Sequence, residues 1–307
     1  TTGTANTALG RTALGANTTG ASNTAVGYLS LDANTTASNN TAMGYAALGA
    51  NTTGAGNSAL GESSLDANTT GSDNVAIGKG ALGANTTASN NTAVGKDAML
   101  ANTTGTANVA VGKGAFIAGT TGSNNVAIGD AALYANTTAD NNTAIGKSAL
   151  VANTTGTENT VIGALAGDAI TTGNNNTAMG HNSLGTNIIS DHNVAIGNDA
   201  LATHNTGSSI DAYNVAVGSG AGFAVTTGKQ NTFIGGNAGD ATTTADNNVA
   251  VGYNSLTANT TGADNSALGM QALKANTTGS YNVAVGKNSM EANTTGANNT
   301  ALGRESL

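Results

Sequence analysis

The chain has no cysteine, no proline and no tryptophan, and only 8% of its 307 residues are charged. A typical globular domain carries about 25% charged residues. Without cysteine there are no disulfides and no thiolate chemistry. That suits a protein that must survive outside cells, although it does not fix the compartment. Disordered segments combine proline, high charge and no period, and this chain has none of the three. The net charge of −8 comes from 17 acidic and 9 basic groups, with no basic patch of the kind that neutralises phosphates, so nucleic acid is not an expected partner. No run of about 18 apolar residues is present, so no membrane-spanning helix is expected in this segment. There is no initiator methionine and no signal peptide. The chain opens on Thr1-Thr2-Gly3 and stops on Ser306-Leu307, inside a repeat at both ends. It therefore reads as a fragment or window of a longer array.

What the chain does have is glycine, alanine, threonine and asparagine in a strict order. The pentad Asn-(Thr/Val/Ser)-Ala-aliphatic-Gly occurs 18 times, beginning at Asn6, Asn23, Asn40 and so on to Asn299. Every spacing is 17 residues except Asn193 to Asn214, which is 21. Residues 1–307 are thus one continuous array with a four-residue insertion near 203–212. Numbering each unit from its pentad asparagine, the consensus is N-T-A-V-G-x-x-A-L-x-A-N-T-T-G-S-N. The fifth position is Gly in all 18 units, the fourth is Val, Ile, Leu or Met, and the eighth is Ala or Ser. The third is Ala except at Val161 and Phe233. Where the ninth residue is Gly instead of a large residue (Gly167, Gly222, Gly239), the twelfth changes from Asn to Ile170, Val225 or Thr242. That exchange is what filling one internal space from two alternative positions looks like, and it places both positions toward the same interior.

Seventeen residues are too few for a helical hairpin repeat, which needs about 34. The β-branched residues, period-2 alternation and glycine punctuation within the pentad read as strand. The invariant glycine ends it where a bend or positive φ is needed. The Asn-Thr-Thr-Gly segment reads as a second strand or extended arm. The expected fold is all-β: a parallel β-solenoid, or β-roll, of 18 coils. Stacked coils about 4.8 Å apart make a rod of about 86 Å with Asn and Thr in ladders. We expect the aliphatic residues of the pentad to face the core and its Asn, Ala and Gly to form an outer face that another chain approaches closely. With so few large side chains in each coil, ladders and a partner surface must both contribute, so an oligomer is expected.

The pentads Asn74–Gly78, Asn125–Gly129 and Asn193–Gly197, all reading Asn-Val-Ala-Ile-Gly, resemble the head repeats of trimeric autotransporter adhesins. Similar repeats occur in tail-fibre-like proteins. The resemblance covers the whole chain, although the strict 17-residue unit and its Asn-Thr-Thr arm depart from the commonest head repeats. It implies a left-handed parallel β-roll, a homotrimer, and a non-enzymatic extracellular or cell-surface fibre involved in attachment, with a host-surface glycan or matrix as a partner class. The alternatives kept open are a phage tail-fibre shaft, on the virion, and an ice-binding solenoid using Thr and Asn ladders.

No site residue for catalysis, cofactor or metal is assigned. His181, His192 and His204 lie within 24 residues but at the sixth, seventeenth and twelfth positions. They do not stack in one ladder and read as surface variation, with no neighbouring nucleophile to make a triad. The sixth position carries Lys79, Lys96, Lys113 and Lys147, with Asp130 between and Tyr28, Tyr45 and Tyr253 elsewhere. It reads as a solvated face that has the composition of a glycan- or surface-binding stripe. Asn-Thr-Thr recurs in 11 units. It matches an N-glycosylation acceptor, which in a bacterial or viral fibre is an accident of the repeat. Residues 156–248 are the most irregular stretch.

Overall fold

The structure, a computed structural model, describes residues 2–307: eighteen parallel three-residue strands and, among the described residues, no helix. It divides into two compact units, Thr1–Thr155 and Gly156–Leu307. Each is a β-solenoid of the 17-residue coil with nine strands. In the first unit they run from Thr7–Leu9 to Thr143–Ile145, and in the second from Thr160–Ile162 to Thr300–Leu302. Equivalent residues pair coil to coil, as in Thr7↔Thr24, Ala8↔Ala25 and Leu9↔Val26. The four-residue insertion leaves this register intact, since Val194, Ala195 and Ile196 pair with Val215, Ala216 and Val217.

The coil differs from the expectation in two respects. It contains one strand, not two: the Asn-Thr-Thr arm is a series of bends. Its backbone still joins neighbouring coils, through Thr18 and Thr19 N–H groups donating to the Thr35 carbonyl at 2.9 and 3.2 Å. More consequentially, the faces of the strand are reversed. The central alanine points inward, with Ala25, Ala42, Ala76 and Ala93 fully buried. The flanking branched residues point outward, and Leu60, Ile77 and Ile128 are 48%, 39% and 37% exposed.

The reason is what else occupies the interior. The typical interior coil places its pentad asparagine and its twelfth-position asparagine inside, both essentially inaccessible to solvent, as with Asn23 and Asn34 or Asn40 and Asn51. Buried amides demand partners, and the coil supplies them. The Oδ1 of each pentad asparagine accepts the backbone N–H of the pentad asparagine one coil on: Asn23 N–H to Asn6 at 2.9 Å, Asn40 to Asn23 at 3.0 Å, Asn57 to Asn40 at 2.9 Å. The twelfth-position asparagines bond side chain to side chain, Asn34 Nδ2 to Asn17 Oδ1 at 3.1 Å and Asn51 to Asn34 at 3.1 Å. The two columns converge on one carbonyl in each coil. Ala37 O accepts from Asn23 at 2.9 Å and Asn34 at 3.1 Å, and Gly54 O accepts from Asn40 and Asn51, both at 2.9 Å.

With two amides inside, space remains for one large apolar side chain, the ninth residue. Leu31, Leu48, Leu65 and Leu82 are fully buried. They reach the interior from left-handed backbone, φ 49–53°, a conformation that bulky residues rarely adopt. The exchange between ninth and twelfth positions is real: Ile170, Val225 and Thr242 are fully buried, and a Cβ added to Gly167 would lie 3.0 Å from Ile170 Cδ1. The third position belongs to the same exchange. Phe233 fills the space left by two glycines, since a Cβ on Gly239 would fall 2.5 Å from its ring and one on Gly222 2.9 Å from it. The invariant fifth-position glycine answers a different need. Gly78 has φ +129°, and a Cβ there would sit 2.5 Å from the Gly95 carbonyl oxygen of the next coil, so only glycine lets the coils stack.

The ladder has one break in the first unit. Phe116 occupies the ninth position, and the twelfth is Gly119, whose added Cβ would lie 2.3 Å from the Phe116 ring. Lacking an amide above it, Asn102 Oδ1 is buried without a partner. Gly119→Asn alone is therefore expected to destabilise by about 1–3 kcal/mol through overpacking. Combined with Phe116→Leu it restores the consensus pair, gives Asn102 its donor, and brings stability to or above that of the parent by about 1 kcal/mol. Chemical denaturation of the two variants checks this reversal of sign.

Candidate interaction surfaces

With amides and leucine inside, the functional surface is whatever the coil turns outward. Three columns stand out.

The first is the outer strand face. Fourth-position aliphatics stack coil upon coil: Met43, Leu60, Ile77, Val94, Val111 and Ile128 in the first unit, and Met179, Ile196, Val217, Ile234, Val251 and Leu268 in the second. Beside them run the outward second-position residues, Val75, Val109 and Val126 among them. Isolated exposed apolar residues need no explanation, but a continuous file of them does.

The second column is the sixth position, just past the glycine bend. In the first unit it reads Arg11, Tyr28, Tyr45, Glu62, Lys79, Lys96, Lys113, Asp130, Lys147. Tyr28 and Tyr45 have ring centroids 5.7 Å apart, and the Arg11 guanidinium lies 5.7 Å from the Tyr28 ring centre. Lys79 pairs with Glu62 at 3.0 Å, both more than half exposed, and Lys96 lies 3.7 Å from Asp97. The repulsion expected along this column is thus only partly relieved.

The third column is the threonine arm. Thirteenth-position hydroxyls donate to the same residue's carbonyl one coil on, as in Thr18 to Thr35 at 2.9 Å and Thr52 to Thr69 at 3.0 Å. Their donors are thereby committed to the stack. The fourteenth-position threonines Thr36, Thr53, Thr70 and Thr87 are exposed. The pentad and twelfth-position asparagines face inward, so of the ice-binding ladders considered from sequence only the threonines reach solvent.

The three histidines do not converge. His181 is exposed at the sixth position. His192, half-exposed, places Nδ1 2.9 Å from Asp211 Oδ1, and its ring lies 5.1 Å from that of Tyr213. The Tyr213 hydroxyl donates to Asp211 Oδ2 at 3.1 Å, and that carboxylate raises the phenol above its usual range. The insertion thus ends in a tied cluster, anchored by the parallel bridge of Asp191 with Asp211 and by Ser190 Oγ and Thr206 Oγ1 at 2.7 Å. No three ligand-type side chains gather to hold a metal among the described residues. Nor, among them, is any helix long and apolar enough to cross a membrane.

His204 corrects the reading of all three histidines as surface variation. It occupies the twelfth position, where its neighbours up and down the column are Asn187 and Val225. It is fully buried, and neither ring nitrogen has a hydrogen-bond partner. Burial lowers its pKa to about 4, with the Thr226 backbone acting in the opposite direction. Its twelfth-position register was visible in the sequence, but it was read together with two histidines at other positions. A scan against protein-family models and a search of curated proteins each return no match.

The sign of the pH effect follows from the lowered pKa. The unfolded chain binds a proton on His204 near the ordinary value of 6.5, and the folded chain binds it only near 4. The His204 contribution is therefore intact above pH 6.5 and is lost as pH falls toward 4, at roughly 1.4 kcal/mol per pH unit across that window. His204→Leu should flatten the corresponding part of the stability profile and raise stability at neutral pH by removing two unsatisfied nitrogens. Urea midpoints recorded between pH 7.5 and 3.5 for both proteins test this. Parallel curves would show that His204 is not the titrating group.

Proposed function

We propose that the chain is a structural segment of an extracellular fibre, non-enzymatic, whose coils assemble with further copies of the same chain through the outer strand face. The observation that carries this reading is the inversion of the strand. The fold spends its small residues and amides on the interior and turns an unbroken file of Val, Ile, Leu and Met outward. A polar-lined interior holds each coil together by hydrogen bonds, and hydrophobic association is left for contacts between chains. Low charge and repeated ladders suit a stiff, protease-resistant support.

The likeness of the Asn-Val-Ala-Ile-Gly pentads to trimeric adhesin heads supports three copies, and a cell surface or a virion as the setting. A closed three-fold arrangement would bury the apolar file of every copy at once. In this reading the segment holds a binding region away from its anchoring surface, and its own sides are available for attachment. A second reading, ice binding, is supported by the exposed fourteenth-position threonine column, and thermal hysteresis measured on the purified chain decides it.

The test is disruption of the file. Replacing Ile77 and Ile128 together with Lys introduces charge on the outer face, where it leaves the interior amides and leucines untouched. The expected result is loss of the oligomer in sedimentation equilibrium with an unchanged circular dichroism spectrum. Retention of the oligomer by the double variant would remove the strand face as the interface. A parent protein sedimenting as a 29.4 kDa monomer would remove self-assembly altogether.

A further inference from the structure

All five basic side chains of the first unit, Arg11, Lys79, Lys96, Lys113 and Lys147, sit at the sixth position. The fold does not require this. In the second unit the same coil carries Asn198, Ser219 and Gly236 at this position as well as Lys287 and Arg304. Nor is the first unit basic as a whole, since residues 1–155 also hold seven acidic side chains: Asp32, Glu62, Asp66, Asp73, Asp97, Asp130 and Asp140. Within this unit every basic residue lies in one file, which also holds Glu62 and Asp130, while the other five acidic side chains lie off it.

The file is exposed and underneutralised. Lys79, Lys96 and Lys113 succeed one another at one coil per step, about 4.8 Å, and repel one another along it. Only Glu62 and Asp97 answer them. Lys113 and Lys147 make no ion pair among the described residues. One coil before Glu62 the same file presents Tyr45, 53% exposed, and one coil before that Tyr28, 42% exposed, with Arg11 beyond. Aromatic faces and cations are thus collinear along the stacking direction.

We propose that this sixth-position file binds an anionic polysaccharide lying parallel to the stack of coils. A chain of pyranose rings bearing one carboxylate or sulfate per sugar offers negative charge at a step comparable to one coil. Its apolar ring faces stack on tyrosine, and ammonium groups meet its acidic groups as point charges. A polyphosphate supplies the charge and nothing for Tyr28 and Tyr45 to cover. Duplex DNA presents a rigid surface broader than a single file of side chains. The file lies past the glycine bend and belongs to a different column from the outer strand face, so this binding does not depend on self-assembly.

The experiment uses the full chain and four probes: a polyuronate oligomer, a sulfated galactan oligomer, a neutral glucan of similar length, and inorganic polyphosphate. Binding is followed by isothermal titration calorimetry at low and physiological salt. Two variants accompany the parent, Lys79→Ser/Lys96→Ser/Lys113→Ser and Tyr28→Ala/Tyr45→Ala. Serine is already accepted at the sixth position as Ser219. Circular dichroism and sedimentation of every variant separate loss of binding from loss of fold or of assembly.

Expected are salt-sensitive binding of one or both acidic saccharides and none of the glucan, with at least a tenfold loss in the lysine variant. The tyrosine variant should weaken saccharide binding and leave polyphosphate unaffected. Preference between the uronate and the sulfated probe identifies the acidic group. The proposal is overturned if neither acidic saccharide binds, if the lysine variant binds as tightly as the parent, or if polyphosphate binds as tightly as the saccharides and the tyrosine variant changes nothing.

Discussion

Everything in this fold depends on two files of asparagine amides that run through the inside of the coils and meet at one carbonyl per turn. A 17-residue coil has little apolar surface to bury, and ordering its backbone is expensive. A row of amides, each bonded to the equivalent residue one coil on, extends the backbone ladder into the interior and fixes the height and register of every turn. Because such groups are penalised when unpaired, the ladder also specifies. A slip of register would strand an entire file of buried amides. The same file persists across the insertion, where the Asn214 N–H still reaches Asn193 Oδ1, at 3.3 Å.

The remaining features follow from sharing a narrow interior with those amides. One large apolar residue fits beside them, and the backbone accepts left-handed φ values at leucine to deliver it. Alanine fills the strand because nothing larger fits, unless the ninth position gives way to glycine, as it does beside Val161 and Phe233. With the interior committed, the branched residues that give the strand its β character have only the outside left. That displacement of apolar surface to the exterior links packing to the proposed function, since it leaves a file of branched side chains on the outside of the coil.

Much of this was legible in the sequence. The period, the parallel solenoid, the need for glycine at the fifth position, and the shared interior of the ninth and twelfth positions could all be read from substitution patterns alone. The direction of the strand faces could not. Alternation in Val75-Ala76-Ile77 separates two faces but does not say which is inside, and hydrophobicity favoured the larger pair. A volume argument would have settled it, because Val161 and Phe233 replace alanine where glycine replaces leucine, and large residues trade places only within one cavity. His204 was misread for a related reason: it was grouped with two histidines at unlike positions and read as surface variation, whereas its own register in the repeat placed it inside. The sixth-position stripe was visible as a column, but its confinement of every basic residue in the first unit becomes informative only when the fold is seen not to demand it.

The claim that buried amides organise the coil is tested most directly by proton exchange at the asparagine side chains, followed by nitrogen-15 NMR. The account predicts slow exchange for the amide protons of pentad and twelfth-position asparagines such as Asn40, Asn51, Asn57 and Asn68. Those of the outward seventeenth-position asparagines Asn39 and Asn90 should exchange at the rate of free amides. Uniformly fast exchange at both classes, in a protein that still shows β structure, would contradict it and put the origin of the coil elsewhere.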